Sequence, residues 1–431
     1  MKRYFEKGIP GWFALTPLLV FLLVYLVSSL VAGDFYKIPI ASAFLVAAVY
    51  ALAICKGKSI EERITIFSQG AGNKNVLLMI WIFVLAGAFA AIAKEIGAID
   101  AAVDVTLKIM PGKWLYAGLF LAACFISMSI GTSVGTIVAL VPIAAGIAAQ
   151  TGGSTPFIVA IIVGGSFFGD NLSFISDTTI AATRSQGCSM ADKFKVNFAV
   201  VLPAAVAVTV LYIIKGADVV YVPEVEQVKL FMLIPYMLII VLALLGVNVL
   251  LVLLAGIASC AIIGFAFEGL CWTCWLESMG KGIAGMGDLI IVTMLAGGVL
   301  EIIRYGGGLD YLISKMTSHI RGKRGAEASI ALLVSLANLC TANNTIAIIT
   351  TGDIARDISQ KYNIDPRRSA SLLDTFSCLV QGIIPYGAQM LMASGLAAVS
   401  AVSILEYLYY PLAMGLCTIM AIVFRLPRRY S

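Results

Sequence analysis

Charge is what this chain has least of. Only 12% of its 431 residues are charged, and a single residue is histidine. A soluble globular chain carries about 25% charged residues, so a soluble enzyme, a nucleic-acid binder and a disordered scaffold are excluded. The one histidine, His319, stands in the basic stretch Ser318-His319-Ile320-Arg321. A histidine metal cluster therefore has no ligands, and a Ser-His-Asp triad has no natural place. No nucleophile–base pair stands out elsewhere, so the chain does not read as an enzyme. Cysteine offers little more: nine are scattered, mostly in apolar runs. Cys271 and Cys274 have CxxC spacing, but no second pair or strand–helix pattern stands beside them, and they read as small buried hydrophobes.

What fills the chain is apolar surface: 60% of residues are hydrophobic and the mean hydropathy is +0.98. A membrane-spanning helix needs roughly 20 mostly apolar residues, so the chain reads as an all-α polytopic membrane protein. Clear spans are predicted at about 12–33, 38–55, 76–95, 195–214, 230–246, 247–267, 284–303 and 406–424. The basic start Met1-Lys2-Arg3 leads into a run long enough to span, so it reads as a first helix rather than a cleaved signal. Four other stretches, 114–150, 155–183, 327–352 and 366–398, are apolar but interrupted by Gly, Ser, Thr, Asn and Asp. Irregular backbone at membrane depth is tolerated only against protein or a watery cavity. Interrupted segments in corresponding places of two halves point to a transporter site.

The halves do correspond. Leu85-Ala86-Gly87 meets Leu295-Ala296-Gly297, Gly97 meets Gly307, Asp100 meets Asp310 and Gly112 meets Gly322, all 210 positions apart. Thr136-Ile137 meets Thr345-Ile346, Pro156 meets Pro366 and Ala160 meets Ala370. Basic residues orient the halves. Lys2, Arg3 and Lys7, the loop with Lys56, Lys58 and Arg63, and the tail with Arg425, Arg428 and Arg429 are expected in the cytoplasm. The loop 184–195 (Arg184, Lys193, Lys195) also falls inside, and the acidic loop 215–229 (Asp218, Glu224, Glu226) outside. The neutral segment 96–113 falls outside, while its partner 310–324, with Lys315, Arg321, Lys323 and Arg324, falls inside. Equivalent loops on opposite sides mean inverted repeats. The count of crossings closes if 114–150 and 327–352 are re-entrant hairpins and 155–183 and 366–398 are broken crossings. The expected division is an N-terminal two-helix segment (1–70), a first repeat (71–215), connecting helices (216–283), and a second repeat with a C-terminal helix (284–431).

The densest polar cluster, Gly169-Asp170-Asn171-Leu172-Ser173-Phe174-Ile175-Ser176-Asp177-Thr178-Thr179, lies inside an apolar crossing. A charge at the bilayer centre costs at least about 2.5–3.5 kcal/mol on insertion scales, so two carboxylates there need a function. Oxygen-rich side chains beside unwound backbone suit a hard cation such as Na⁺, and a carboxylate in such a place can exchange that cation for a proton. Asp170, Asn171, Ser173, Ser176, Asp177 and Thr178 are the candidate ligands, with Asp170 and Asp177 holding Na⁺. Thr132 and Ser133 in the small-residue run 127–136, and Asn343, Asn344 and Thr345 in its repeat partner, supply two polar hairpin tips. Asp374 is the only charged residue between Arg368 and Glu406 and is expected to line the cavity, next to a break at Pro385 and Gly387. Glu301 and Arg304, at i, i+3, read as an interfacial pair.

GDNLSFISDTT at 169–179, with GTSVGT at 131–136 upstream and LDTFSCLVQGIIPYGAQ at 373–389, resembles the signature of the NhaC-type Na⁺/H⁺ antiporter family, within the ion transporter superfamily. The resemblance runs from about 70 to 400. It implies a secondary transporter of inverted repeats with hairpins and broken helices, and cation-coupled exchange in which Asp170, Ser173, Asp177 and Thr178 match the motif. The family often has Pro where this chain has Phe174, which leaves the bend at that point open. Members also exchange organic acids or take up amino acids. Two functions are therefore carried forward: a sodium/proton antiporter, or a Na⁺- or H⁺-coupled carrier of a small organic solute. No cofactor is expected beyond the transported or coupling Na⁺ and H⁺. The partners are the lipid bilayer of the cell membrane and these ions, with no nucleic acid, and a homodimer is left open because no interface is legible.

Overall fold

A computed structural model describes residues 11–32, 39–55, 58–110, 112–174, 176–217, 219, 229–317, 320 and 322–427. Ile175, the acidic residues Asp218, Glu224 and Glu226, and the charged residues Lys2, Arg3, Lys7, Lys56, His319, Arg321, Arg428 and Arg429 lie outside these. The described residues are predominantly helical, with no strand among them.

The first half runs α1 (Thr16–Ala32), α2 (Ile40–Ile54), α3 (Ile60–Ala71), α4 (Lys74–Glu95), α5 (Ala98–Ile109), α6 (Leu115–Ile130), α7 (Ser133–Thr151), α8 (Thr155–Leu172), α9 (Asp177–Gln186) and α10 (Met190–Gly216). The second half runs α11 (Ile234–Leu244), α12 (Val249–Phe267), α13 (Trp272–Gly285), α14 (Gly287–Tyr305), α15 (Gly308–Thr317), α16 (Gly322–Thr341), α17 (Asn344–Lys361), α18 (Pro366–Ile383), α19 (Ala388–Ala397), α20 (Ala401–Leu405) and α21 (Tyr409–Phe424). The order repeats element by element. α6 and α7 form one hairpin and α16 and α17 the other; α8/α9 and α18/α19 are the broken helices. Eight segments among the described residues are long and apolar enough to cross a membrane, and four shorter helices are also apolar.

The shared Leu-Ala-Gly triplets have a packing reason. Gly87 in α4 lies against Gly282 in α13, and Gly297 in α14 against Gly70 in α3; a Cβ at any of the four would collide with the facing backbone or a side chain there. Each repeat thus lays its short amphipathic helix across the long helix of the other, and small residues allow the backbones to touch. α3 starts sharply because Ser59 and Glu62 form a capping box.

The hairpin tips have one backbone. Gly131 adopts φ 76° and Thr132 φ −144°, ψ 128°; Ala342 adopts φ 48° and Asn343 φ −149°, ψ 113°. Each tip is tied to its own broken helix in the same way. The Ser127 hydroxyl donates to the carbonyl of Ser166, and Asn338 Nδ2 donates to that of Ser377 at 2.7 Å. Both residues of the second bond stand 211 positions after those of the first.

Two expectations need correction. Cys271 and Cys274 are exposed rather than buried, and they form a disulfide at the start of α13. Lys193 is not a loop cation: it sits in the first turns of α10, 1% exposed.

Candidate functional site

The site lies where the first hairpin tip meets the first broken helix. Gly169 makes that approach possible, because a Cβ there would overlap the Ser127 backbone. The next residue, Asp170, is 4% exposed. Its Oδ1 accepts from the Ser133 backbone N–H at 3.0 Å, and its Oδ2 from the Ser133 hydroxyl at 2.7 Å. Ser133 opens α7, so the carboxylate sits at a helix N-terminus, where the aligned peptide dipoles favour negative charge. Asn344, from the second hairpin tip, adds a long contact to Oδ2 at 3.4 Å. Residues of both halves therefore converge on one carboxylate.

α8 ends at Leu172 and α9 begins at Asp177, which leaves the last carbonyls of α8 without helical donors. Side chains take over. Thr178 Oγ1 donates to the Asp170 carbonyl at 2.7 Å and Thr179 Oγ1 at 3.3 Å. Lys193 Nζ donates to the Asn171 carbonyl at 2.6 Å and Asn197 Nδ2 at 2.9 Å. The break thus forms with Phe174 in place of Pro; Phe174 stacks on Phe194 at 5.1 Å between centroids.

A relay joins this carboxylate to the second broken helix. Gln381 Nε2 donates to Gln389 Oε1 at 2.8 Å, Gln389 Nε2 donates to Ser133 Oγ at 3.0 Å, and that hydroxyl donates to Asp170. Gln381 also reaches the carbonyl of Ala342 at the second tip, at 3.1 Å.

The described structure buries three acidic side chains: Asp170, Glu327 and Asp374. Glu327 pairs with Arg368 at 3.3 Å. Asp374 is fully buried inside α18, pairs with Lys193, and accepts from Asn197 Nδ2 at 2.9 Å. Its sequence setting suggested a residue lining the cavity; here its Oδ2 is engaged by Lys193 and Asn197. Asp170 alone has no cationic side chain among its contacts.

The remaining sequence candidates divide. Asp177 does not join Asp170: it is exposed at the first residue of α9. Ser173 and Ser176 are buried at the break, and Ser176 shares a hydrogen bond of 2.8 Å with Thr178. Thr132 is half-buried at the first tip. Asn343 caps α17 through the Ile346 N–H at 3.0 Å, and Thr345 N–H donates to Asn344 Oδ1 at 3.0 Å. Asn343 also faces a cavity of about 200 Å³ between α3, α4, α14 and the second tip, with Asn73, Thr293, Glu301, Arg304 and Thr341. Glu301 and Arg304 stand 3.7 Å apart at its edge.

Sequence reasoning missed the burial of Lys193 and Asn197. The signal was there: Lys193 and Asn197 are one helical turn apart on a face with Val196, Val200 and Val201, all buried.

Inverted repeats, paired re-entrant hairpins and paired broken helices around a buried polar centre define the architecture of a secondary transporter. The model of the Na⁺/H⁺ antiporter family matches the chain twice, over residues 12–217 and 222–426. The chain belongs to that family, and the two matches fall on the two halves. It is 25% identical to a Malate-2H(+)/Na(+)-lactate antiporter of Bacillus subtilis (strain 168), covering 93% of each chain. It is 23% identical to the Na(+)/H(+) antiporter NhaC of Alkalihalophilus pseudofirmus, covering 97% of this chain and 96% of that one. The solved YdaH transporter of Alcanivorax borkumensis is a more distant likeness, with 14% identity, a TM-score of 0.41, and coverage of 85% of this chain and 88% of that one.

Proposed function

We propose that the protein is a sodium/proton antiporter in which Asp170 exchanges a proton for Na⁺ by alternating access. One observation carries the site: of the three buried carboxylates among the described residues, only Asp170 has no internal cation, and both hairpin tips reach it. Ser133 and Asn344 hold the Asp170 carboxylate, Thr178 its carbonyl, and Asn171 supplies the next free carbonyl at the break; Thr132, Ser173, Ser176, Asn343 and Thr345 shape the tips and the break. Asp374 serves through its ion pair, and Asp177 through the N-terminus of α9. Na⁺ and H⁺ are cargo, and the exchange needs no cofactor.

The positive-inside bias of the basic segments supports an orientation with both termini in the cytoplasm. The cavity beside Asn343 then lies on the cytoplasmic side, with Arg304 at its edge, and the disulfide at α13 lies outside, where such bonds persist.

In proteoliposomes holding a pH dye, a Na⁺ jump should drive proton movement in the wild type and none in Asp170→Asn. Sustained exchange in that variant would remove Asp170 from the mechanism. The cavity favours a second reading, a Na⁺- or H⁺-coupled carrier of a small organic solute such as an amino or carboxylic acid: at about 200 Å³, lined by apolar side chains, amides, hydroxyls and the Glu301–Arg304 pair, it exceeds what Na⁺ needs. It requires proton movement only when the acid is added.

A further inference from the structure

Lys193 is among the largest fully buried side chains, 1% exposed. Lysine is almost never fully buried unless paired, and here more than a pair surrounds it. Its Nζ meets Asp374 Oδ2, the carbonyl of Asn171 at 2.6 Å and Thr179 Oγ1 at 2.8 Å. These oxygens come from three helices, α18, α8 and α9. A carboxylate, a carbonyl freed at a helix break and a hydroxyl are the ligand types a hard cation takes.

Hydrogen-bond supply does not account for the ammonium. Asn197 Nδ2 already donates to both Asp374 Oδ2 and the Asn171 carbonyl, each at 2.9 Å. What only Lys193 brings is positive charge. Two further oxygens on the same residues, Asn171 Oδ1 and Asn197 Oδ1, are buried without a donor. Without the lysine, a full negative charge would remain among neutral oxygens, with a space the size of an ammonium between them.

We propose that Lys193 is a tethered cation: it fills a second cation-binding cluster at Asp374, and so leaves the protein one exchangeable cation, that at Asp170. The count at Asp170 rests on the antiport function proposed above; the role of Lys193 at Asp374 does not.

The test is equilibrium binding of ²²Na⁺ to the purified full-length protein, with thermal unfolding in Na⁺ and in choline as the companion measurement. Lys193→Ala should bind one more Na⁺ per chain than the wild type, and Lys193→Ala/Asp374→Asn should lose that extra ion. Na⁺, and not choline, should raise the unfolding temperature of Lys193→Ala more than that of the wild type, since the ion now binds only the folded cluster. Lys193→Gln, which keeps a donor for the Asn171 carbonyl, is read the same way if the alanine variant does not survive purification.

A wild type that binds one Na⁺ beside folded Lys193 variants that also bind one would overturn the proposal. A wild type that binds none would count against Na⁺ at Asp170 alone. A gain from none to one in Lys193→Ala would still support the tethered cation, and no gain would overturn it.

Discussion

If Asp170 holds either Na⁺ or a proton, its geometry sets the size of the pH effect. Among the described residues one buried carboxylate lacks an internal cation, so on this reading one proton leaves for each Na⁺ that binds. Where the carboxylate is already ionised, the apparent Kd for Na⁺ should not change with pH. As pH falls and the proton occupies the same oxygens, Kd should rise, towards a limit of about tenfold per pH unit, or about 1.4 kcal/mol. A second exchanging carboxylate would push the limit towards about a hundredfold, and Lys193 on Asp374 argues against that. Isothermal titration in two buffers of different ionisation enthalpy counts the protons released per Na⁺. A count near zero at every pH where Na⁺ still binds would refute direct competition and favour the coupled solute carrier. A count approaching two would refute the assignment to Asp170 alone.

Other outcomes follow from single contacts. Asp177→Asn should leave exchange largely intact, with a stability change below about 1 kcal/mol from the exposed first turn of α9, whereas Asp170→Asn abolishes it; equal losses in proteoliposome flux would reunite the two aspartates. Arg368→Ala leaves Glu327 buried and unpaired and should cost about 3–5 kcal/mol in thermal or denaturant unfolding, most of which Arg368→Met/Glu327→Leu should recover. Gly131→Ala should fold at a cost of about 1 kcal/mol, because Ala342 holds the matching left-handed conformation at the other tip; failure to fold would deny that the tips are equivalent. In a cysteine-free background, thiol reagents should reach a cysteine at Lys108 from outside and one at Lys315 from inside, and labelling of both from one side would end the inverted arrangement.

The frame was legible because it rests on patterns that survive in one dimension. Apolar run length gave the spans, and Gly, Ser and Asn interruptions gave the hairpin tips and breaks. The 210-residue spacing exposed the repeat through glycines at which backbones of different halves touch. Asp170, Ser133 and Asn344 were legible as polar residues in apolar segments. What was not legible is which carboxylate has a partner. Asp374 stands alone in its own segment, yet its cation comes from Lys193, 181 positions earlier, in a stretch that reads as a basic loop. Charge pairing across helices is a property of packing, and a basic residue next to an exposed Asp192–Lys195 pair gives no hint of burial. Asp177 differs for a similar reason: the motif sets it beside Asp170 in sequence, but it stands exposed in the first turn of α9.

The two halves differ most where chemistry is required. Ser127 and Asn338 tie each tip to its broken helix at equivalent carbonyls, and the tips share a backbone. At the same spacing of 211, the counterpart of Asp170 is Gln381, an amide with no charge to exchange. The relay through Gln389 and Ser133 joins these two positions directly. A symmetric frame supplies two arrangements of similar energy, which alternating access needs. A single charge at one of two equivalent places then makes ion occupancy matter to the frame. Movement of the second tip would change the Asn344 contact and, through Gln381 and Gln389, the donor that Ser133 offers to Asp170. On the proposed function, Na⁺ binding at Asp170 and rearrangement of the opposite hairpin would be linked through the same hydrogen bonds, and breaking the relay with Gln389→Ala should loosen that link more than it weakens Na⁺ binding itself.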